Sequence, residues 1–252
     1  MRIKFLGEAA TQDTIAGVLG LVAAVRPDSE PRLVAGDADL CVLIGLPRAS
    51  EEEAPPEPPC LAVVDAGELQ ALKWRLSVQV LSDLPPLGLF IDTIESPRRL
   101  LRRVAFIAES ERDGLSSTIA AALRDRFELG LFATQAASAQ ALESVSGCPV
   151  RVVSPETQDE LLRPFDMIVS FSRGQIIRAT ARLKPTVWLR EVDEDAAIGL
   201  APTVYRGLPI ELPAVLAQHE PDHVLPALFN WKRAAEADAR AKIDAALAAV
   251  GL

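Results

Sequence analysis

The chain has 252 residues, 49% of them apolar and 24% charged, with 26 Lys and Arg against 35 Asp and Glu for a net charge of −9. That composition is too apolar for a disordered chain, and the acidic balance argues against a nucleic-acid binder. A chain this long buries enough surface to fold without staples. Its cysteines, Cys41, Cys60 and Cys148, show no C-x-x-C spacing, so a reducing compartment is expected.

In chain order, Arg2–Leu6 reads as a strand and Gln12–Val25 as a helix with Thr11 as N-cap, closed off by Pro27 and Pro31. The uncharged apolar run Thr14–Val25 is 12 residues long, too short to span a bilayer. Met1–Gly7 has too short an apolar core for a signal peptide. No transmembrane segment and a cytoplasmic location are therefore expected. Leu33–Ala35 is a short strand candidate, and Asp39–Gly45 a firmer one, because its apolar run is continuous and ends in glycine. Glu51–Pro59 contains four prolines, which fix φ and remove donors, and is expected to be an exposed loop. Leu61–Val64 reads as a buried strand, Glu68–Leu76 as a short helix, and Val78–Leu81 and Leu87–Ile91 as strands. Pro85-Pro86 and Ser96–Arg99 are boundary signals, which divides the chain into a small α/β domain, 1–97, and a second domain, 98–252. The first part holds 15 acids and 7 bases; the second holds 20 acids and 19 bases, 16 of them Arg.

After the boundary, strands and helices alternate. The strands are Val104–Ala108, Gly130–Ala133, Val150–Val153, Met167–Phe171 and Thr186–Leu189. Between them fall the helices Leu115–Phe127, Ala136–Val145, Thr157–Leu162 and Gln175–Leu183. The strands are continuous apolar runs, which is the pattern of a parallel sheet covered on both faces. The predicted fold is α/β, with two Rossmann-like domains, the second a doubly wound parallel sheet, and a C-terminal helix. That tail reads as a helix over Leu208–Gln218 and a longer one over Val224–Val250, broken near Pro226. Ala239, Ile243, Leu247 and Val250 form its apolar stripe.

Several motifs are absent. There is no G-x-G-x-x-G dinucleotide fingerprint, no G-x-x-x-x-G-K-[ST] loop and no G-x-S-x-G elbow. His219 and His223 are four apart with Pro221 between them, and read as polar turn residues, so no metal site is expected. In a doubly wound sheet, ligands bind beyond the carboxyl ends of the strands, where helix N-termini offer free N–H groups. Four turns in the second half lie there. Glu109–Thr118 offers Gly114 with Ser116 and Ser117, as donors to an anion or as plain caps. Ser154–Glu160 reads as a capping box of Thr157 with Glu160. Ser172-Arg173-Gly174 places a hydroxyl, a guanidinium and a glycine where a helix begins, suited to a phosphate, with a capping Ser172 and a solvated Arg173 as the alternative. Glu191, Asp193 and Glu194 are placed to bind ribose hydroxyls or a cation, or are simply a solvated acidic run. In the first half, Glu8 and Asp65 each follow a strand, where a general base sits. The cluster Arg98, Arg99, Arg102 and Arg103 flanks the boundary, as a solvated linker or an anion-attracting patch.

The stretch Phe165–Trp188 combines a D-x-x-(apolar)-S strand at Asp166–Ser170, the turn Ser172-Arg173, a helix, and Lys184-Pro185 before an apolar strand. It resembles a segment of the C-terminal half of GT-B glycosyltransferases, and is similar to the matching segment of polysaccharide pyruvyltransferases. The resemblance covers residues 102–252. It implies a nucleotide-sugar donor in the second domain, with Ser172, Arg173 and Gly174 near the diphosphate, and an acceptor on the first. The expected partner is thus a nucleotide-sugar or phosphorylated small molecule, with no cofactor; a protein partner or homodimer is left open. Arg173 would stabilise the leaving phosphate, Ser116, Ser117 and Glu191 would assist in donor binding, and Glu8 or Asp65 would take the acceptor proton. The alternative is a non-catalytic interaction or scaffold subunit.

Overall fold

The computed structural model describes residues 1–48, 59–64, 66–72, 78–81, 84–85, 101–108, 113–154, 157–189, 204–207, 211–212 and 221–252. The chain forms two compact units, Met1–Asp92 with Arg233–Leu252, and Thr93–Lys232. The expected boundary at residues 97 and 98 lies outside the described residues, as do the expected strand Leu87–Ile91 and most of the expected helix Leu208–Gln218.

In the first unit, β1 (Arg2–Leu6), β2 (Arg32–Leu33), β3 (Leu40–Ile44), β4 (Cys60–Val63) and β5 (Gln79–Leu81) form one sheet in the order β2-β1-β3-β4-β5, every pair parallel. The sheet of the first unit is therefore a regular parallel one. All five residues of β3 are buried, as its continuous apolar run requires. Two helices, α1 (Gln12–Val25) and α2 (Ala66–Ala71), follow β1 and β4. Thr11 is the N-cap of α1, and its partner in a capping box is Thr14. One core cluster joins Cys41, Leu43, Cys60, Ala62 and Leu72.

The second unit contains β6 (Arg103–Ala108), α3 (Asp113–Arg124), β7 (Glu128–Ala133), α4 (Ala136–Ser146), β8 (Val150–Val152), α5 (Gln158–Leu162), β9 (Met167–Ser170), α6 (Arg173–Ala181), β10 (Thr186–Leu189) and β11 (Tyr205–Gly207). The sheet order is β11-β10-β9-β6-β7-β8, again all parallel. The chain thus winds outward from β6 in one direction, returns at β9, and winds outward in the other. Alternate residues of the strands face opposite layers. Val104 and Phe106 pack with Ile119, Ala120 and Leu123 of α3, while Ala105 and Ile107 pack with Leu162 of α5 and Ala179 of α6. The last helix, α7 (Pro221–Ala249), runs through Pro226 rather than breaking there. Proline removes one intrahelical donor, and a helix of 29 residues outweighs that loss. Ala239, Ile243 and Leu247 are buried along it, and Asp238 pairs with Lys242 at 2.8 Å. No helix among the described residues is long and apolar enough to cross a membrane.

Candidate functional site

A doubly wound sheet opens a crevice where the winding reverses, because the helices after the two neighbouring strands leave toward opposite faces. In the second unit that place lies between β6 and β9. Its walls are the first turns of α3 and α6, so the fold brings two of the predicted anion-binding turns to one end of two adjacent strands.

The β9–α6 turn is tightly held. Ser170 is fully buried; its hydroxyl reaches the Ile107 carbonyl of β6 at 3.4 Å and accepts the Ser172 N–H at 3.1 Å. The indole of Trp188 on β10 donates to the Phe171 carbonyl at 2.8 Å. Two neighbouring strands therefore fix the conformation of the turn before any ligand arrives. Ser172 occupies the N-cap position in extended conformation, yet its side chain makes no cap hydrogen bond. Ser172 thus gives the first N–H groups of α6 no side-chain cap, unlike Thr11 at the start of α1. The space beside Gly174 is open: among the described residues a β-carbon there would meet only the Ser172 hydroxyl, at 3.8 Å. Arg173 is half-buried, and burial pulls its guanidinium below the usual arginine range.

Two side chains in these first turns are incompletely satisfied among the described residues. The hydroxyl of Ser116, a residue with no solvent exposure, has no hydrogen-bond partner, and neither does the buried Gln175 Oε1. Native proteins rarely leave buried polar atoms unpaired. Ser117 is different: its hydroxyl donates back to the Gly114 carbonyl at 2.9 Å, within the helix. In the next turn of the sheet, Thr157 pairs with Ser154, through Ser154 N–H to Thr157 Oγ1 at 3.2 Å, rather than forming a box with Glu160.

The corresponding reversal in the first unit lies between β1 and β3 and is closed by backbone. Gly7 has φ +99° and sits so near β3 that a β-carbon would stand 2.3 Å from the Ile44 carbonyl oxygen. The N–H of Glu8 donates to Leu46, that of Ala9 to Ile44, and that of Thr11 to Ala9. These donors are spent, so this crevice offers an anion much less than the other. Glu8 itself is exposed in the turn. Asp65 and Glu191 lie outside the described residues. Glu68, which sequence reasoning treated only as part of a helix, has its Oε1 3.3 Å from where a β-carbon of Gly45 would be, just beyond β3. Its position after a strand and in the first turn of α2 was the available signal.

Two further polar residues of the Phe165–Trp188 stretch, Asp166 and Lys184, hold the opposite end of the strands. The Asp166 carboxylate accepts the N–H groups of Arg102 and Arg103 at 3.0 and 2.9 Å. The Lys184 ammonium, buried, donates to the carbonyls of Leu162, Arg163 and Phe165 at 3.1, 2.9 and 2.7 Å. These two residues are buttresses. Among the described residues no group of His, Cys, Asp and Glu is placed to hold a metal ion.

No protein-family model matches the chain, and no curated protein matches it in sequence. In three dimensions it is similar to a candidate UDP-N-acetylglucosamine 2-epimerase from Listeria monocytogenes, with a TM-score of 0.59 and 10% identity over 90% of each chain. It is also similar to the glycosyltransferase SnogD from Streptomyces nogalater, with a TM-score of 0.56 and 14% identity over 100% of this chain and 99% of that one. A third is HepE from Anabaena in complex with UDP and glucose, with a TM-score of 0.53 and 11% identity over 99% and 100%. At these identities the likeness is one of fold: two Rossmann-like α/β units and a C-terminal helix, in the GT-B manner.

Proposed function

We propose that the chain is a GT-B-like transferase that uses a nucleotide-activated sugar or a related phosphorylated donor, held in the second unit between β6 and β9. The start of α6 carries this reading. It combines a helix N-terminus that Ser172 does not cap, a rigid turn and a half-buried guanidinium at the topological switch point. The unpartnered Ser116 hydroxyl and Gln175 carbonyl oxygen suit the hydroxyl and N–H groups of a nucleotide. The complex of HepE with UDP and glucose, a neighbour in fold, supports the same ligand class.

In such a transfer an acceptor oxygen bonds to the anomeric carbon as the bond from that carbon to the donor phosphate breaks, and its electron pair leaves with the phosphate. Arg173 and the first N–H groups of α6 stabilise the charge that develops there. The acceptor proton passes to a carboxylate of the first unit, Glu8 or Asp65 from their positions in the sequence, or Glu68 from its position beside Gly45.

The test is thermal unfolding with UDP, GDP and TDP. A nucleotide at 100 times its Kd adds about 2.7 kcal/mol of stability. A rise in Tm with one of the three, lost in Arg173→Ala, is the expected result. No rise with any of them overturns the proposal and favours an interaction subunit of the same fold.

A further inference from the structure

At the amino ends of the second sheet, away from the crevice, the unit contains a groove of about 530 Å³ that plays no part in the proposed transfer. Its volume falls in the range of small-molecule sites, roughly 300–1,000 Å³. It exists because neighbouring strands differ in length. The ladder between β7 and β8 begins only at Leu131 with Val150, whereas β7 pairs with β6 from Glu128 onward. Glu128, Leu129 and Gly130 thus have no strand beside them on the β8 side, and the groove occupies that notch.

The floor of the groove is apolar and shaped by one glycine. A β-carbon on Gly130 would stand 2.3 and 2.5 Å from ring atoms of Phe165. Glycine lets that ring settle against the strand, where it meets Phe132 edge-on with centroids 5.4 Å apart. The walls carry three guanidinium groups, from Arg103, Arg124 and Arg151, against the single carboxylate of Glu128. Arg103 spends its Nε on Glu128 at 3.0 Å, and Arg124 donates to the Ser146 carbonyl and the Cys148 thiol. Arg151 is exposed and has no partner among the described residues. This local excess of positive charge stands in a chain whose net charge is −9.

We propose that this groove is a second binding site, for an organic anion with a flat apolar body and one carboxylate or phosphate group. The body lies against the partly exposed Phe165 ring, which the buried Phe132 backs, and Arg151 pairs with the anionic head, the bidentate geometry for which arginine is suited. The site gives a role to three arginines, Arg103, Arg124 and Arg151, that the transfer leaves unused.

Cys148 lines the groove and is half-buried, whereas Cys41 and Cys60 are 1% and 4% exposed. Its alkylation by iodoacetamide therefore reports occupancy. In the full chain, 2-naphthyl phosphate or 2-naphthoate is expected to slow that alkylation saturably, while neutral 2-naphthol does not. Arg151→Gln, an exposed substitution, is expected to shift the protection midpoint by about tenfold. Gly174→Ala, at the other end of the sheet, is expected to leave the midpoint unchanged. Absence of protection by both anions up to their solubility limits, equal protection by 2-naphthol, or an unchanged midpoint in Arg151→Gln overturns the proposal. None of these results bears on nucleotide binding at α6.

Discussion

Burial around Arg173 strips water from its guanidinium, which is why its pKa falls. A cation deprived of water gains more from an incoming anion than one on the open surface does. Gly174, next to it, has no positive φ and no close neighbour among the described residues, so its backbone conformation does not demand glycine. Alanine in a helix is favoured over glycine by roughly 0.5–1 kcal/mol. Gly174→Ala is therefore expected to raise the Tm of the unliganded protein slightly. Its methyl group would crowd the start of α6, so the same variant is expected to lose most of the nucleotide-induced shift. Thermal unfolding with and without UDP reads both. A variant that keeps the full shift would show that the phosphate does not approach this turn.

At the level of elements, α6 ends as deliberately as it begins. Leu183 takes a left-handed φ of +57°, its N–H donates to Thr180, and the Lys184 N–H donates to Ala179, which together satisfy the last carbonyls of the helix. The turn delivers the Lys184 side chain to the carbonyls at the end of α5. Lys184→Met keeps the apolar stem but strands those three acceptors, at a cost of roughly 2–4 kcal/mol. A lower urea midpoint with an intact UDP shift is expected; loss of the shift at unchanged stability would place Lys184 in the site instead. The strands of this unit were legible in the sequence because buried parallel strands are continuous apolar runs, as in Val104–Ala108 and Met167–Ser170. β11, Tyr205-Arg206-Gly207, has no such run and exists through its pairing with β10, so local pattern could not reveal it. The turn at Ser172 was legible for the same reason as the strands, since it follows one and opens a helix. The orphaned oxygens of Ser116 and Gln175 were not, because whether a hydroxyl or amide finds a partner depends on what the fold packs against it.

At the scale of the whole molecule, the chain closes on itself: residues 233–252 belong to the same compact unit as residues 1–92. Arg26, at the end of α1, pairs with Asp244 and donates to the Leu252 carbonyl at 3.1 Å. Along α7, Ile243 is 1% exposed and Leu247 is fully buried. Burial of two such side chains contributes roughly 3–6 kcal/mol. That is comparable with the entire stability of a small domain, about 5–15 kcal/mol. A chain ending after Lys232 is thus expected to lose the cooperative fold of residues 1–92. Residues 104–108, 128–133 and 167–170 should stay folded, because their core partners lie within 93–232. Hydrogen exchange resolves the two outcomes: fast exchange across β1 and β3 with slow exchange across β6 and β9 is the expected pattern. Slow exchange across β1 and β3 in the shortened chain would mean that the first sheet is stable on its own contacts, and that the returning helix only covers it.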